Sequence, residues 1–344
     1  MALENTVLNK EAIIRLTKIH YGLNVKSVQK NTLGSANCYR ILDENNVYFL
    51  KEFQSGFCKE DLIREANLIN YLQQHSIPTA SILSTISGDS FFVYENHFIC
   101  LEKYIKGIAY DYDNFPKNML LELAQTLGKL HRALDGYELP MGMDDKWVDS
   151  FSKETDILQY DKLMEELEKQ KKDKNYNKIK EDIIYKKQLL SRGNEYKKYY
   201  SGITYVATHG DFQGCQLICD DEHVKAVIDF SAARILPAIW EVMRSYVQSS
   251  EYCRETAKID IDEFCVYVKE YMKYYPLSKI DLQSMPYVYL FQLMRSKYGY
   301  SQYLKTDSED RKGLLRFAYW RTNICRELEN KAETISNELV RIRI

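Results

Sequence analysis

Thr208-His209-Gly210-Asp211-Phe212-Gln213-Gly214-Cys215-Gln216, followed downstream by Val227-Ile228-Asp229-Phe230, is the most informative stretch of this chain. It sets one aspartate on a tight glycine turn, an amide side chain five residues later, and a second aspartate after a short apolar strand. Such an arrangement holds a substrate hydroxyl beside Mg2+ and ATP, so the segment points to phosphoryl transfer. Alone, His-Gly-Asp is also an ordinary turn, because Gly and Asp are favoured turn residues.

Working outward, Val206-Ala207 reads as a strand entering the turn, and residues 216–219 and 224–228 read as a strand pair around Asp220-Asp221-Glu222. That pairing is expected to bring Gln216 and Asp229 near Asp211, where oxygen ligands converge on a hard cation such as Mg2+. Asp211 is then the group that orients the acceptor hydroxyl and takes its proton. Upstream, Leu33-Gly34-Ser35-Ala36-Asn37 lies between strand-like stretches, as a phosphate-covering loop or an ordinary hairpin turn. Lys51 closes the apolar strand Val47-Tyr48-Phe49-Leu50, where a lone cation needs a partner or a ligand. Glu65, fourteen residues later on a helix, is the expected partner, and the pair would position the lysine for the α- and β-phosphates. Two unrelated exposed charges are the plainer alternative.

Composition agrees. At 344 residues the chain exceeds the roughly 250–300 residues at which one core stops growing, so two lobes with a cleft are expected. A net charge of -2 supplies no basic field for nucleic acid, and the Lys169-to-Lys174 run reads as a solvated mixed-sign helix face. Eight scattered cysteines without a CxxC pair suit reduced thiols and the cytoplasm. No leader-like N-terminus and no stretch near 20 apolar residues argue for export or membrane insertion. Neither a zinc spacing nor a Walker A, GxGxxG, GxSxG or HExxH motif occurs. His131 and the tryptophans 147, 240 and 320 are therefore read as core residues.

The hydrophobic period predicts a helix over residues 4–20, antiparallel strands over 25–53, a helix over 58–75 and strands at 90–94 and 97–102. Helical spacing dominates thereafter, with a core helix over 118–134, two charged surface helices over 157–200, and helices at 238–250, 260–275, 281–304 and 308–340. The expected fold class is α+β, divided into an N-terminal nucleotide-binding lobe at 1–103 and a larger, mainly helical catalytic and substrate-binding lobe at 104–344.

Over about residues 25–250 the chain resembles the aminoglycoside phosphotransferase and choline/homoserine kinase-like group of small-molecule kinases. The matching residues are Lys51, Glu65, the hinge-like Leu101-Glu-Lys-Tyr-Ile-Lys-Gly107, the helix end Leu127-Gly-Lys-Leu-His131, His209-Gly210-Asp211 and Ile228-Asp229-Phe230. The resemblance implies a bilobal protein-kinase-like fold, a catalytic Asp211, Mg2+ ligands at Asp229 and Gln216, and a phosphate anchor at Lys51 with Glu65. It also implies nucleotide contacts at Gly34 and Ser35, and backbone groups around Lys103 and Ile105 facing adenine. Gln216 departs from the family's usual Asn by one C–C bond, about 1.5 Å. Ser231 stands where Gly is frequent, and Pro237-Ala-Ile-Trp240-Glu241 carries Glu where the family has Asp. The implied activity is ATP- and Mg2+-dependent phosphorylation of a hydroxylated small molecule; a non-catalytic nucleotide-binding pseudokinase of the same fold is the alternative. The acidic residues 241, 251, 260, 262 and 263 are candidate contacts for a polyamine-like acceptor, and the Tyr/Arg-rich residues 287–303 are candidates for lining a sugar or nucleoside pocket.

Overall fold

The computed structural model describes residues 4–31, 36–140, 143, 147–221, 223–305 and 311–343; the candidate nucleotide contacts Gly34 and Ser35 lie outside the described residues. In chain order the elements are α1 (Lys10–Tyr21), β1 (Ser27–Asn31), β2 (Asn37–Leu42), β3 (Val47–Glu52), α2 (Lys59–Gln74), β4 (Phe92–Tyr94), β5 (His97–Lys103), β6 (Ile108–Ala109), α3 (Leu120–Leu134), α4 (Lys153–Glu168) and α5 (Tyr176–Ser191). They continue with β7 (Tyr205–Thr208), β8 (Leu217–Cys219), β9 (Val224–Val227), β10 (Arg234–Pro237), α6 (Ala238–Ser249), α7 (Glu251–Thr256), α8 (Ile261–Met272), α9 (Lys279–Arg295), α10 (Tyr300–Lys305) and α11 (Arg311–Val340). The chain forms two compact units, Met1–Ala109 with Gln216–Ala233, and Tyr110–Cys215 with Arg234–Ile344.

The first unit is built on an antiparallel sheet of order β1-β2-β3-β5-β4. Alternation assigns its two faces. Ile41, Leu50, Ile99 and Leu101 pack with Ile13 and Leu16 of α1. Lys51 pairs in register with Cys38 and Cys100 and therefore faces the other way, toward the cluster of Phe53, Phe91, Cys100 and Leu62 of α2. A second sheet, β6-β8-β9, carries a register shift at Ile218/Cys219. It joins the unit through a bond from Val227 N–H to Pro78 C=O (2.9 Å).

The second unit is mainly helical, with the antiparallel pair β7 and β10 set against α3 and α6. The abundant tyrosines serve as core residues with polar tips. Tyr160 and Tyr246, both buried, donate to the carbonyls of Met294 and Asp260 at 3.0 Å each, so their burial leaves no orphan hydroxyl.

Several expected boundaries shift for local reasons. The first helix starts at Lys10 rather than residue 4, because Asn9 caps it by accepting from Ala12 N–H (2.8 Å). The helix expected over 281–304 is divided: α9 ends at Arg295 with Ser296 extended, and α10 starts only after Gly299, which has φ +90 and where a Cβ would lie 2.8 Å from Ala318 Cβ. Of the two charged helices expected as surface elements, α5 instead buries Ile179, Ile183, Leu189, Leu190 and even Asp182 and Lys186. The short strands β6 and β10 were not expected. All eight cysteines are free, and among the described residues no helix is long and apolar enough to cross a membrane.

Gly128 marks the contact of α3 with α8, since a Cβ there would stand 2.6 Å from the Tyr271 carbonyl oxygen and 3.0 Å from Tyr274 Cβ. Gly128→Ala is expected to lower stability by about 1–3 kcal/mol, read as a lower urea midpoint at unchanged slope. Gly56→Ala, where a Cβ meets nothing within 4 Å, should leave the midpoint nearly unchanged.

Candidate active site

Strand β7 delivers the chain into His209-Gly210-Asp211, where Gly210 takes φ +81, a conformation that disfavours any Cβ. The turn is fixed from behind by Glu241, a fully buried carboxylate in the first turn of α6. Its Oε1 accepts from Gly210 N–H (2.6 Å) and, at 3.5 Å, from Phe212 N–H; its Oε2 accepts from His209 N–H (3.1 Å). His131 Nε2 lies 2.9 Å from the same Oε2, and His131 Nδ1 lies 2.7 Å from the Tyr271 hydroxyl. A neutral imidazole with its proton on Nε2 satisfies both neighbours. Burial works against the Glu241 charge, but the His131 contact, the His209 ring and the Gly210 N–H together hold its pKa below the ordinary 4.5. Glu241 is therefore a brace for the loop and has no surface with which to meet a polyamine-like acceptor. Asp260 caps α8 by accepting from Glu263 N–H (3.0 Å), and Glu263 accepts from Ser250 and Tyr246. These two acids also have structural tasks. The core reading of His131 holds.

Asp211 emerges from this braced turn half-buried. Its carboxylate is ion-paired with the Arg244 guanidinium of α6 and lies 3.5 Å from Gln213 Nε2. Gln248, with its amide turned to suit both neighbours, accepts from Arg244 and donates to Gln213 (2.7 Å). Gly214 N–H donates to Ser249 Oγ (2.9 Å), so α6 secures the loop along its length.

In the first unit, Lys51 Nζ lies 3.7 Å from Glu65 of α2 and 3.4 Å from Asp229. The expected strand-to-helix pair is present. With Lys51 only 12% and Glu65 6% exposed, the alternative of two unrelated surface charges is excluded. Desolvation opposes the Lys51 charge, yet Glu65, Asp229 and Glu102 together hold its pKa well above the ordinary value. Glu102 is the third carboxylate around this lysine, and burial pushes its pKa up to about 7 against the pull of Lys51. Asp229 takes φ 64, unusual for a residue with a Cβ, and Ser231 Oγ donates to its Oδ1 (2.8 Å). The serine found in place of the frequent glycine thus acts as a support for Asp229. Gln216 C=O accepts from Ile228 N–H (3.0 Å), placing Gln216 and Asp229 at the same end of the β8–β9 hairpin. In the hinge-like segment, Lys103 N–H is occupied by the Ser81 carbonyl (2.8 Å).

Among the described residues no group of three or more His, Cys, Asp or Glu could hold a metal ion by itself. One carboxylate and one amide oxygen suit Mg2+, which keeps waters and takes phosphate oxygens as its remaining ligands. Sequence reasoning passed over Glu102, Arg244 and the bracing role of Glu241. For Glu241 a signal existed: a single acid between Ile239-Trp240 and Val242-Met243 marks a buried charge in need of partners.

Comparison with solved structures places this geometry within the protein-kinase-like fold. A spectinomycin phosphotransferase solved with ADP and spectinomycin matches with a TM-score of 0.65 at 16% identity, over 94% of this chain and 99% of that one. An amicoumacin kinase solved with AMP-PNP and Ca2+ matches with a TM-score of 0.63 at 16% identity, over 94% of each chain. Choline kinase from Cryptosporidium parvum matches with a TM-score of 0.58 at 15% identity, over 96% of this chain and 99% of that one. Residues 27–272 match the Phosphotransferase enzyme family, and the chain belongs to it. Among curated proteins none matches the chain.

Two titrations follow. Because the folded pKa of Glu241 is depressed, its stabilisation is complete above the unfolded value and is lost as pH falls below it. Glu241→Ala should cost about 3–5 kcal/mol at neutral pH, and Glu241→Gln should flatten the acid limb in denaturant titrations at about pH 7 and about pH 4. For Glu102 the sign reverses: its folded pKa is raised, so its contribution is present at low pH and lost as pH rises through about 7. Glu102→Gln should reduce the fall in thermal midpoint between about pH 5 and about pH 7; an unchanged fall would remove Glu102 as its source.

Proposed function

We propose that this phosphotransferase moves the γ-phosphoryl group of ATP to a hydroxyl of a small molecule. The placement of Lys51 between Glu65 and Asp229 supports this most directly: it joins a cation suited to phosphate to a carboxylate able to hold Mg2+. The first unit is the nucleotide-binding lobe. Lys51 contacts phosphate, Glu65 orients it, Ile105 and the backbone near Lys103 meet adenine, and Gly34 and Ser35 cover the phosphates. Asp229 and Gln216 would hold Mg2+, which supplies neutralisation of charge on the transferring phosphoryl group. The second unit supplies catalysis and acceptor binding. Asp211, presented by the Glu241-braced turn, aligns the acceptor hydroxyl and takes its proton as the new P–O bond forms, while ADP departs with the electrons of the broken bond. The eight free cysteines support a reducing, cytoplasmic setting.

The Asp211–Arg244 ion pair is the observation that favours a non-catalytic nucleotide binder, since it occupies the candidate base. Kinetics separate the two readings. Asp211→Asn should slow phosphoryl transfer by about 10²–10⁴ while ATP binding, followed by thermal shift with Mg2+, stays as in the wild type. Lys51→Met should weaken that binding. ATP binding without ADP formation across a broad set of alcohols would favour the non-catalytic reading.

A further inference from the structure

Of two arginines in the second unit, Arg244 and Arg321, only Arg244 has an ion pair among the described residues, with Asp211. Arg244 is 16% exposed, stacks over the Trp240 ring (5.6 Å) and pairs with Asp211, yet its Nε is buried without a hydrogen-bond partner. Arg321, on α11, lies over the Phe317 ring (5.5 Å). Among the described residues it has neither an ion pair nor a hydrogen bond, and desolvation first, with a smaller contribution from the Arg244 charge, disfavours its charged form. Tyr112 packs edge-on against Phe317 and Trp320 (5.5 and 6.1 Å). Its hydroxyl is buried and unpartnered, within electrostatic reach of both guanidinium groups.

This combination is costly. A guanidinium cannot relieve its burial by losing a proton, because arginine remains charged in proteins. Arg244 is paired with one carboxylate and the partly exposed Arg321 with none among the described residues, which leaves an uncompensated positive charge beside unsatisfied donors, where a partly desolvated lone ion is unfavourable. Planar N–H forks and a tyrosine O–H are the donors that recognise carboxylate and phosphate oxygens. They would repel the ammonium groups of a polycationic acceptor. Building on the phosphoryl-transfer reading, we infer that the acceptor is a hydroxylated compound bearing an oxyanion, a carboxylate or a phosphate ester, and that Arg321 and Arg244 hold that oxyanion with the Tyr112 hydroxyl while Asp211 meets the alcohol. An acceptor of this kind also frees Asp211, because its anion takes over part of the Arg244 charge.

The first test uses the full chain without nucleotide and inorganic phosphate as the probe, by calorimetric titration. Phosphate should bind the wild type and the control Gly56→Ala alike, and about ten- to hundredfold more weakly to Arg321→Gln and to Arg321→Lys. Because the unpaired charge destabilises the ligand-free chain, Arg321→Gln should have an equal or higher thermal midpoint. A lower midpoint, or phosphate binding that survives Arg321→Gln, would overturn the assignment. The second test offers ATP with a neutral polyol, its carboxylate, its phosphate ester and its amine. Preferential turnover of one of the two anions supports the inference and says which oxyanion is used, whereas preference for the amine overturns it. If nothing is turned over while Arg321-dependent phosphate binding persists, the phosphoryl-transfer reading fails and the anion site stands.

Discussion

The buried carboxylate of Glu241 is the contact on which the candidate site depends. A turn that exposes a reactive aspartate must leave several backbone N–H groups without strand or helix partners, and such groups are expensive to bury unpaired. One carboxylate answers three of them, at His209, Gly210 and Phe212. It is oriented by His131, which is oriented in turn by Tyr271. Helices α3, α6 and α8 therefore each contribute one member of a polar chain that ends at the loop, and the rigidity of Asp211 is inherited from the packing of those helices. The exclusion of a side chain at Gly128, where α3 meets α8 beside the Tyr271 carbonyl, serves the same alignment.

In the first unit the equivalent constraint is the concentration of acid around one lysine. Three carboxylates, Glu65, Asp229 and Glu102, surround Lys51, and one cation cannot neutralise them all. The strain is released in the way expected for crowded acids, by a raised pKa on one of them, Glu102, whose burial is the largest cause of the shift. Excess negative charge at this place is suited to a divalent cation, and Asp229 is held in its left-handed conformation with support from Ser231. A scaffold without such a ligand would gain stability by losing one of these acids.

Much of this was legible in the sequence because it follows from short-range pattern. Alternation placed Lys51 on an apolar strand, helical spacing placed Glu65 on the element behind it, and a glycine before Asp211 announced the turn. What escaped was tertiary. Arg244 and Asp211 are 33 residues apart, and nothing in a helical period tells which loop its outward face will meet. Glu241 was read as a possible acceptor contact although its apolar neighbours marked it for burial; which groups it braces follows only once β7 and β10 are paired and α6 is folded against them. Lys186 also misled: a lysine in a highly charged segment implies water, yet it is buried and donates to the Leu293 carbonyl (2.7 Å).

The central claim is that the Lys51 cluster receives a metal-bound nucleotide triphosphate. A crystal structure with Mn2+ and a non-hydrolysable ATP analogue, using anomalous scattering to locate the metal, tests it most directly. The account predicts a manganese peak ligated by Asp229 and the Gln216 amide oxygen, with analogue phosphates on Lys51. Nucleotide bound elsewhere, or bound with Asp229 making no metal contact, would contradict it.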